Sequence, residues 1–215
     1  MSGPAWALLV AAGVAAVGDW VAVARRPSPL EYLWKPATLA LLVGVALALD
    51  PVDDGQRAWV VAALVLCLAG DVFLLPRPDL FVAGLVSFLL GHVAYVVGFL
   101  VRGADEPVWA LAGAAVAVAA GAVVGTRVLR AVRAGPDPDL AVPVVLYMAV
   151  ISAMVVTAAA TGVAVAAAGA LLFYASDATL ALDRFERRRP WGPLTVIVTY
   201  HLGQALLVVS VASAK

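Results

Sequence analysis

Asp19, Asp71 and Asp177 each interrupt an apolar run fit for lipid, as in Leu64–Leu75 (LVLCLAGDVFLL) and Gly169–Leu182 (GALLFYASDATLAL). An ionised aspartate at the centre of a membrane helix costs about 2.5–3.5 kcal/mol on insertion scales. Such residues face a bundle interior or a wet cavity, and by default they mark a functional site. Two carboxyls whose surroundings separate their protonation states can divide acid and base work between them. Lys35, His92, Tyr95, Tyr147, His201 and Gln204 supply further polar groups within apolar segments. Each also has a structural reading. Asp19 can pair with Arg25 or Arg26, and Asp71 and Asp177 can join helices by hydrogen bonds. Lys35 can snorkel to headgroups. Mid-span histidines often serve only as hydrogen-bonding core residues, and Tyr95, Tyr147, Tyr174 and Tyr200 more often pack.

The elements that must position these groups follow from composition. Of 215 residues, 64% are hydrophobic and 13% charged, with a mean hydropathy of +1.02. Soluble domains run to about 45–50% apolar and about 25% charged. The chain is therefore an integral membrane protein with no room for a sizeable soluble domain. A net charge of zero and the lack of a basic tract with interleaved aromatics argue against a nucleic-acid partner. Cys67, the single cysteine, lies in an apolar run and reads as a small packing residue, because a nucleophilic thiol needs an electropositive, partly exposed setting. In Met1–Val23 no basic stretch precedes the apolar run, and Arg25 and Arg26 follow it. That pattern predicts a first membrane span in preference to a cleaved signal peptide.

A bilayer-crossing helix needs about 20 mostly apolar residues. By that length and by turn signals, eight spans are expected: Pro4–Ala24, Pro36–Leu49, Arg57–Leu75, Leu80–Val101, Pro107–Thr126, Leu140–Ala160, Gly162–Leu182 and Trp191–Ala212. The sixth and seventh are separated by little more than Thr161-Gly162, which demands a tight hairpin. Basic residues orient the bundle. Arg25, Arg26, Lys35, Arg77, Arg127, Arg130, Arg133, Arg184, Arg187, Arg188 and Arg189 follow spans one, three, five and seven, eleven of the fourteen basic residues. The other face holds Arg57, Arg102 and Lys215. The expected fold class is all-α, one membrane-spanning domain over residues 1–215, with both termini on the non-cytoplasmic side. The expected location is the cell membrane, the bacterial inner or plasma membrane.

On this parse the three acids share one level, each four or five residues before an inner span end, roughly 6–8 Å from the edge of the hydrocarbon core. Lys35, Ser87 and Tyr147 reach a similar layer, while His92, Tyr95, His201 and Gln204 sit nearer the midplane. A polar layer built from non-consecutive helices predicts a pocket opening toward the inner leaflet. The small-residue stretches Ala112–Gly125 and Gly162–Gly169 read as faces for close helix contact. Arg184–Arg189 reads as a topology determinant that can also meet anionic headgroups.

Five segments in order, Leu33-Trp34-Lys35-Pro36, Gly70-Asp71-Val72-Phe73-Leu74-Leu75, Gly91-His92-Val93-Ala94-Tyr95, Gly169 to Asp177 (GALLFYASD) and Tyr200-His201-Leu202-Gly203-Gln204, resemble the YhhN-like family. These are eight-span membrane proteins that include the lysoplasmalogenases. The resemblance runs from Lys35 to Gln204; span one and Asp19 contribute less to it. It implies hydrolysis of the vinyl-ether bond of lysoplasmalogens, releasing a fatty aldehyde and glycerophospho-ethanolamine or -choline. An enol ether breaks by protonation at its β-carbon, and water captures the resulting oxocarbenium ion. Paired carboxylates handle a similar cation in glycoside hydrolysis. Asp71 and Asp177 are the expected pair, with Lys35 on the substrate phosphate or beside one carboxylate. His92, Tyr95, Tyr147, His201 and Gln204 are the expected supporting groups, and Asp19 joins them on depth. The expected partners are a lysophospholipid substrate and membrane lipid; no organic cofactor and no bound metal are expected.

Two readings compete. A metal-dependent lipid hydrolase would place zinc on His92, His201 and an Asp, though no HxxxH or HExxH spacing is present. A proton-coupled transporter or lipid-handling protein would use the acids as a relay, though the chain shows no convincing half-to-half repeat.

Overall fold

The computed structural model describes residues 2–25, 29–75 and 80–214. Arg26, Arg77 and Lys215, used above in the orientation argument, lie outside these residues, as do the expected breaks at Pro27-Ser28 and Pro76–Asp79. All regular structure among the described residues is helical. The helices are α1 (Gly3–Ala24), α2 (Glu31–Ala48), α3 (Asp54–Phe73), α4 (Phe81–Arg102), α5 (Pro107–Ala120), α6 (Thr126–Ala134), α7 (Ala141–Ala160), α8 (Ala164–Ala181) and α9 (Gly192–Val209). A π-helical turn, Gly121–Gly125, makes α5 and α6 one continuous rod. A second π turn, Leu182–Glu186, prolongs α8. Among the described residues the result is eight helices long and apolar enough to cross a membrane. Sequence reasoning predicted that number.

Two elements differ from the predicted lengths. The second span starts at Glu31 and carries Pro36 inside the helix, five residues before the expected boundary. Proline was expected to open the helix because it lacks an N–H. In a membrane bundle, neighbouring groups re-satisfy the freed carbonyl, and proline is tolerated. Lys35 consequently lies within the helix and is buried. The fifth span runs on through α6, so Arg127, Arg130 and Arg133 ride on a helix. Val128 and Val132 bury one face of that extension.

The Thr161-Gly162 hairpin is as tight as expected. Gly162 takes φ +74°, a left-handed conformation that closes the end of α7 at little steric cost. The Thr161 hydroxyl donates to the Ala158 carbonyl at 2.6 Å and accepts from the Val163 N–H at 3.2 Å.

Neighbouring helices close a ring, α1–α2–α3–α4–α7–α8–α9 and back to α1, with α9 also reaching α2 and α3. α5 stands outside it against α7. Burial follows: half of the α4 and α9 spans is buried, but only 17% of the fifth span. Glycines let helices approach. A methyl on Gly203 would meet the Gly169 carbonyl at 2.9 Å and the Phe173 nitrogen at 3.0 Å, so α8 and α9 touch backbone to backbone. Cys67 is fully buried, and its sulfur occupies the space beside Gly91. It packs, as its apolar setting implied.

The charged groups that follow α8 are largely paired. Arg189 donates to Asp183 at 3.0 Å and to Glu186 at 2.5 Å, and Arg127 clasps both oxygens of Glu186 at 2.7 and 2.9 Å. Arg184 lies over the Phe81 ring, 4.5 Å from its centroid.

Candidate functional site

Seven of the helices, all but α5 and α6, bring polar side chains to the bundle interior, and the groups sort into three acid centres. In the first, the Lys35 ammonium of α2 lies 3.6 Å from Asp71 Oδ1 of α3. The Tyr200 hydroxyl of α9 donates to Asp71 Oδ2 at 2.9 Å. In the second, the Tyr147 hydroxyl of α7 donates to Asp177 Oδ2 of α8 at 2.5 Å. His92 Nε2 of α4 stands 3.6 Å from the same oxygen. In the third, the Trp20 indole N–H donates to His201 Nδ1 at 3.2 Å. That bond makes Nδ1 an acceptor and puts the His201 proton on Nε2, which faces Asp19 Oδ2 at 4.0 Å. Tyr95 and Gln204 form a further pair, the phenol donating to Oε1 at 2.5 Å.

Every predicted site residue is thus interior, but they do not form a single cluster. No hydrogen bond or ion pair joins Asp71 to Asp177. Their partners are linked through rings: Tyr200 packs on Phe173 at 5.2 Å and on Phe88 at 5.7 Å, and His92 on Phe173 at 4.6 Å. Asp71 Oδ1, both ring nitrogens of His92, His201 Nε2 and Gln204 Nε2 make no hydrogen bond within the protein. Buried polar groups of this kind retain capacity for water or substrate.

Exposure separates the acids. The side chain of Asp177 is 13% exposed against 1% for Asp71. Asp177 and Tyr147 line an apolar cleft walled by residues of α4, α7 and α8 and by the π turn after α5. Neither Asp71 nor Lys35 belongs to its lining. The cleft therefore lies beside Asp177, and Asp71 is buried outside its lining.

The histidines also part company. His92 attends Asp177 and His201 attends Asp19. Among the described residues no three His, Cys, Asp or Glu side chains converge as a metal site. The Ser87 hydroxyl, expected at the level of the acids, donates to the Leu66 carbonyl at 2.6 Å and ties α4 to α3. Sequence reasoning passed over Trp20 and read Tyr200 as packing. The available signal for Tyr200 was its place one turn before Gln204, on the same helical face.

An eight-span helical bundle with carboxylates buried beside tyrosine, lysine and histidine defines the class: a multi-pass membrane protein with a polar interior. The YhhN family model matches residues 30–211, and the chain belongs to that family. It is 31% identical over 169 residues to lysoplasmalogenase TMEM86B of Homo sapiens, covering 79% of this chain and 70% of that protein. It is 34% identical over 154 residues to the lysoplasmalogenases of Mycobacterium bovis and Mycobacterium tuberculosis, 69% of this chain and 58% of theirs. No solved structure matches the chain.

Proposed function

We propose that the protein is a membrane-embedded hydrolase that cleaves the vinyl-ether bond of lysoplasmalogens to a fatty aldehyde and a glycerophospho-ethanolamine or -choline. The observation that carries this reading is Asp177, a carboxyl hydrogen-bonded by Tyr147 at 2.5 Å and open to an apolar cleft. Membership of a family whose relatives are named lysoplasmalogenases supplies the substrate class.

The chemistry assigns the groups. A proton from the Asp177 carboxyl adds to the β-carbon of the vinyl ether, and the electron pair on the ether oxygen completes an oxocarbenium ion. Tyr147 donates to Oδ2, so the transferable proton is assigned to Oδ1. Water adds to the cationic carbon and gives up a proton, which restores the acid. The hemiacetal then breaks its C–O bond to the glycerol oxygen, releasing alcohol and aldehyde. Asp71, beside the Lys35 ammonium, suits the role of the charged carboxylate that steadies the cation through space. His92 offers ring nitrogens to order the water. General acid–base assistance of this kind contributes about 10²–10⁴-fold.

The same reading puts Lys35, Arg127, Arg130, Arg133 and Arg184–Arg189 at the cytoplasmic face of a cell membrane and both chain ends outside. Basic residues at the corresponding helix ends support it. Asp177→Asn and Asp71→Asn, purified and folded, should each lower aldehyde release from a lysoplasmalogen by about 10²-fold or more. Wild-type turnover in either variant removes that residue from catalysis.

A further inference from the structure

The cleft that reaches Asp177 is apolar along nearly all of its lining; beyond Asp177 and its Tyr147 partner, Tyr174 and Met148 are the lining residues whose side chains carry a heteroatom. From Asp177 it follows α8 past Ala181 to Phe185 in the π turn, roughly 12 Å of helix. The facing wall includes Gly125, in the other π turn, and Met148 of α7. The terminal methyl of Met148 occupies the space that a side chain on Gly125 would need. One missing side chain and one flexible thioether therefore shape this wall.

A peptide or polar solute in such a cleft would leave hydrogen-bonding groups unmet. A hydrocarbon chain would not. The vinyl ether is the link between chain and headgroup, so the group acting on it must stand where an apolar surface meets a polar one. Asp177 stands there: it lines the cleft together with Tyr147 and meets His92, which is not part of the lining. We propose that this cleft holds the single hydrocarbon chain of the lipid substrate, its polar end at Asp177 and Tyr147, and that Gly125, Met148 and Ala181 set the chain length accepted. This rests on the vinyl-ether reading above for the identity of the lipid.

The test uses the whole protein in nanodiscs and two arms. The first titrates saturated alkyl-ether lysophospholipids of short and long chain, which bind but cannot be cleaved by enol-ether protonation. Affinity should rise with chain length. Gly125→Leu and Ala181→Leu should lower the long-to-short affinity ratio about ten-fold, the discrimination typical of added methylenes in an apolar pocket. Met148→Ala adds no bulk, so it keeps the test decisive should a larger side chain impair folding; it should raise the ratio. An unchanged ratio in all three variants, or wild-type affinity indifferent to chain length as for a cleft merely filled by ambient lipid tails, overturns the proposal. The second arm measures aldehyde release from short- and long-chain lysoplasmalogens. Chain-dependent binding without aldehyde sinks the vinyl-ether chemistry and leaves the chain site standing. Aldehyde release with one chain ratio in every variant does the reverse.

Discussion

Tyr147 and Lys35 hold the two inner acids by different physics, and each makes a distinct prediction. The Tyr147 hydroxyl bonds Asp177 at 2.5 Å. A hydrogen bond to a charged or proton-sharing group contributes about 1.5–3 kcal/mol. Tyr147→Phe should lower kcat for aldehyde release by roughly 10–100-fold with the thermal midpoint shifted little, since the ring still packs edge-on against His92. An equal loss in both quantities would mark Tyr147 as a packing residue instead. Lys35 and Asp71 are a buried pair at 3.6 Å. Removing one partner strands the other, a change of about 3–5 kcal/mol in buried pairs. Lys35→Met should therefore lower detergent-state stability strongly, and Lys35→Met with Asp71→Asn should recover much of it. Additive losses in that double-mutant cycle would show that the two groups do not interact.

At the scale of elements, the site depends on how closely α8 approaches α9, because these two helices carry Asp177, Tyr200, His201 and Gln204. A side chain at Gly203 meets backbone of α8 at 2.9 and 3.0 Å, with no flexible atoms to yield. Gly203→Val should cost about 1–3 kcal/mol or more in unfolding stability and reduce activity by separating the helices. Gly13→Ala on α1 has open space around it and should be neutral or slightly stabilising, as helix propensity predicts. Comparable unfolding midpoints for the two variants would remove the case for a backbone contact there. Element lengths were the least legible feature in sequence. Pro36 read as a start and lies inside a helix. Arg127, Arg130 and Arg133 read as a loop and continue one, since their charge marks a membrane boundary without requiring the helix to stop.

For the whole molecule, the proposed orientation puts the basic helix ends in the cytoplasm. Single cysteines make this measurable, because the native Cys67 is fully buried. In intact cells an impermeant maleimide should label Val52→Cys, on the exposed turn before α3, and should leave Arg188→Cys, between α8 and α9, unlabelled until the membrane is opened. The opposite pattern would invert the bundle and put the Phe185 end of the cleft on the outer side.

Hydrophobic length, turn signals and the lopsided arginines are local or additive properties, and from them the chain by itself determined eight membrane helices and a set of interior polar residues. The family was legible too, because five polar motifs recur in order along one dimension. Which acid meets which partner was not. Tyr200 and Asp71 are 129 positions apart and meet at 2.9 Å; Trp20 and His201 are 181 apart and meet at 3.2 Å. Pairings of that separation depend on how α9 rotates inside the ring of helices, and a nearly uniform apolar sequence carries little record of such a rotation. Tertiary packing alone divided one predicted acid layer into three centres, opened Asp177 to an apolar cleft, and buried Asp71 between Lys35 and Tyr200.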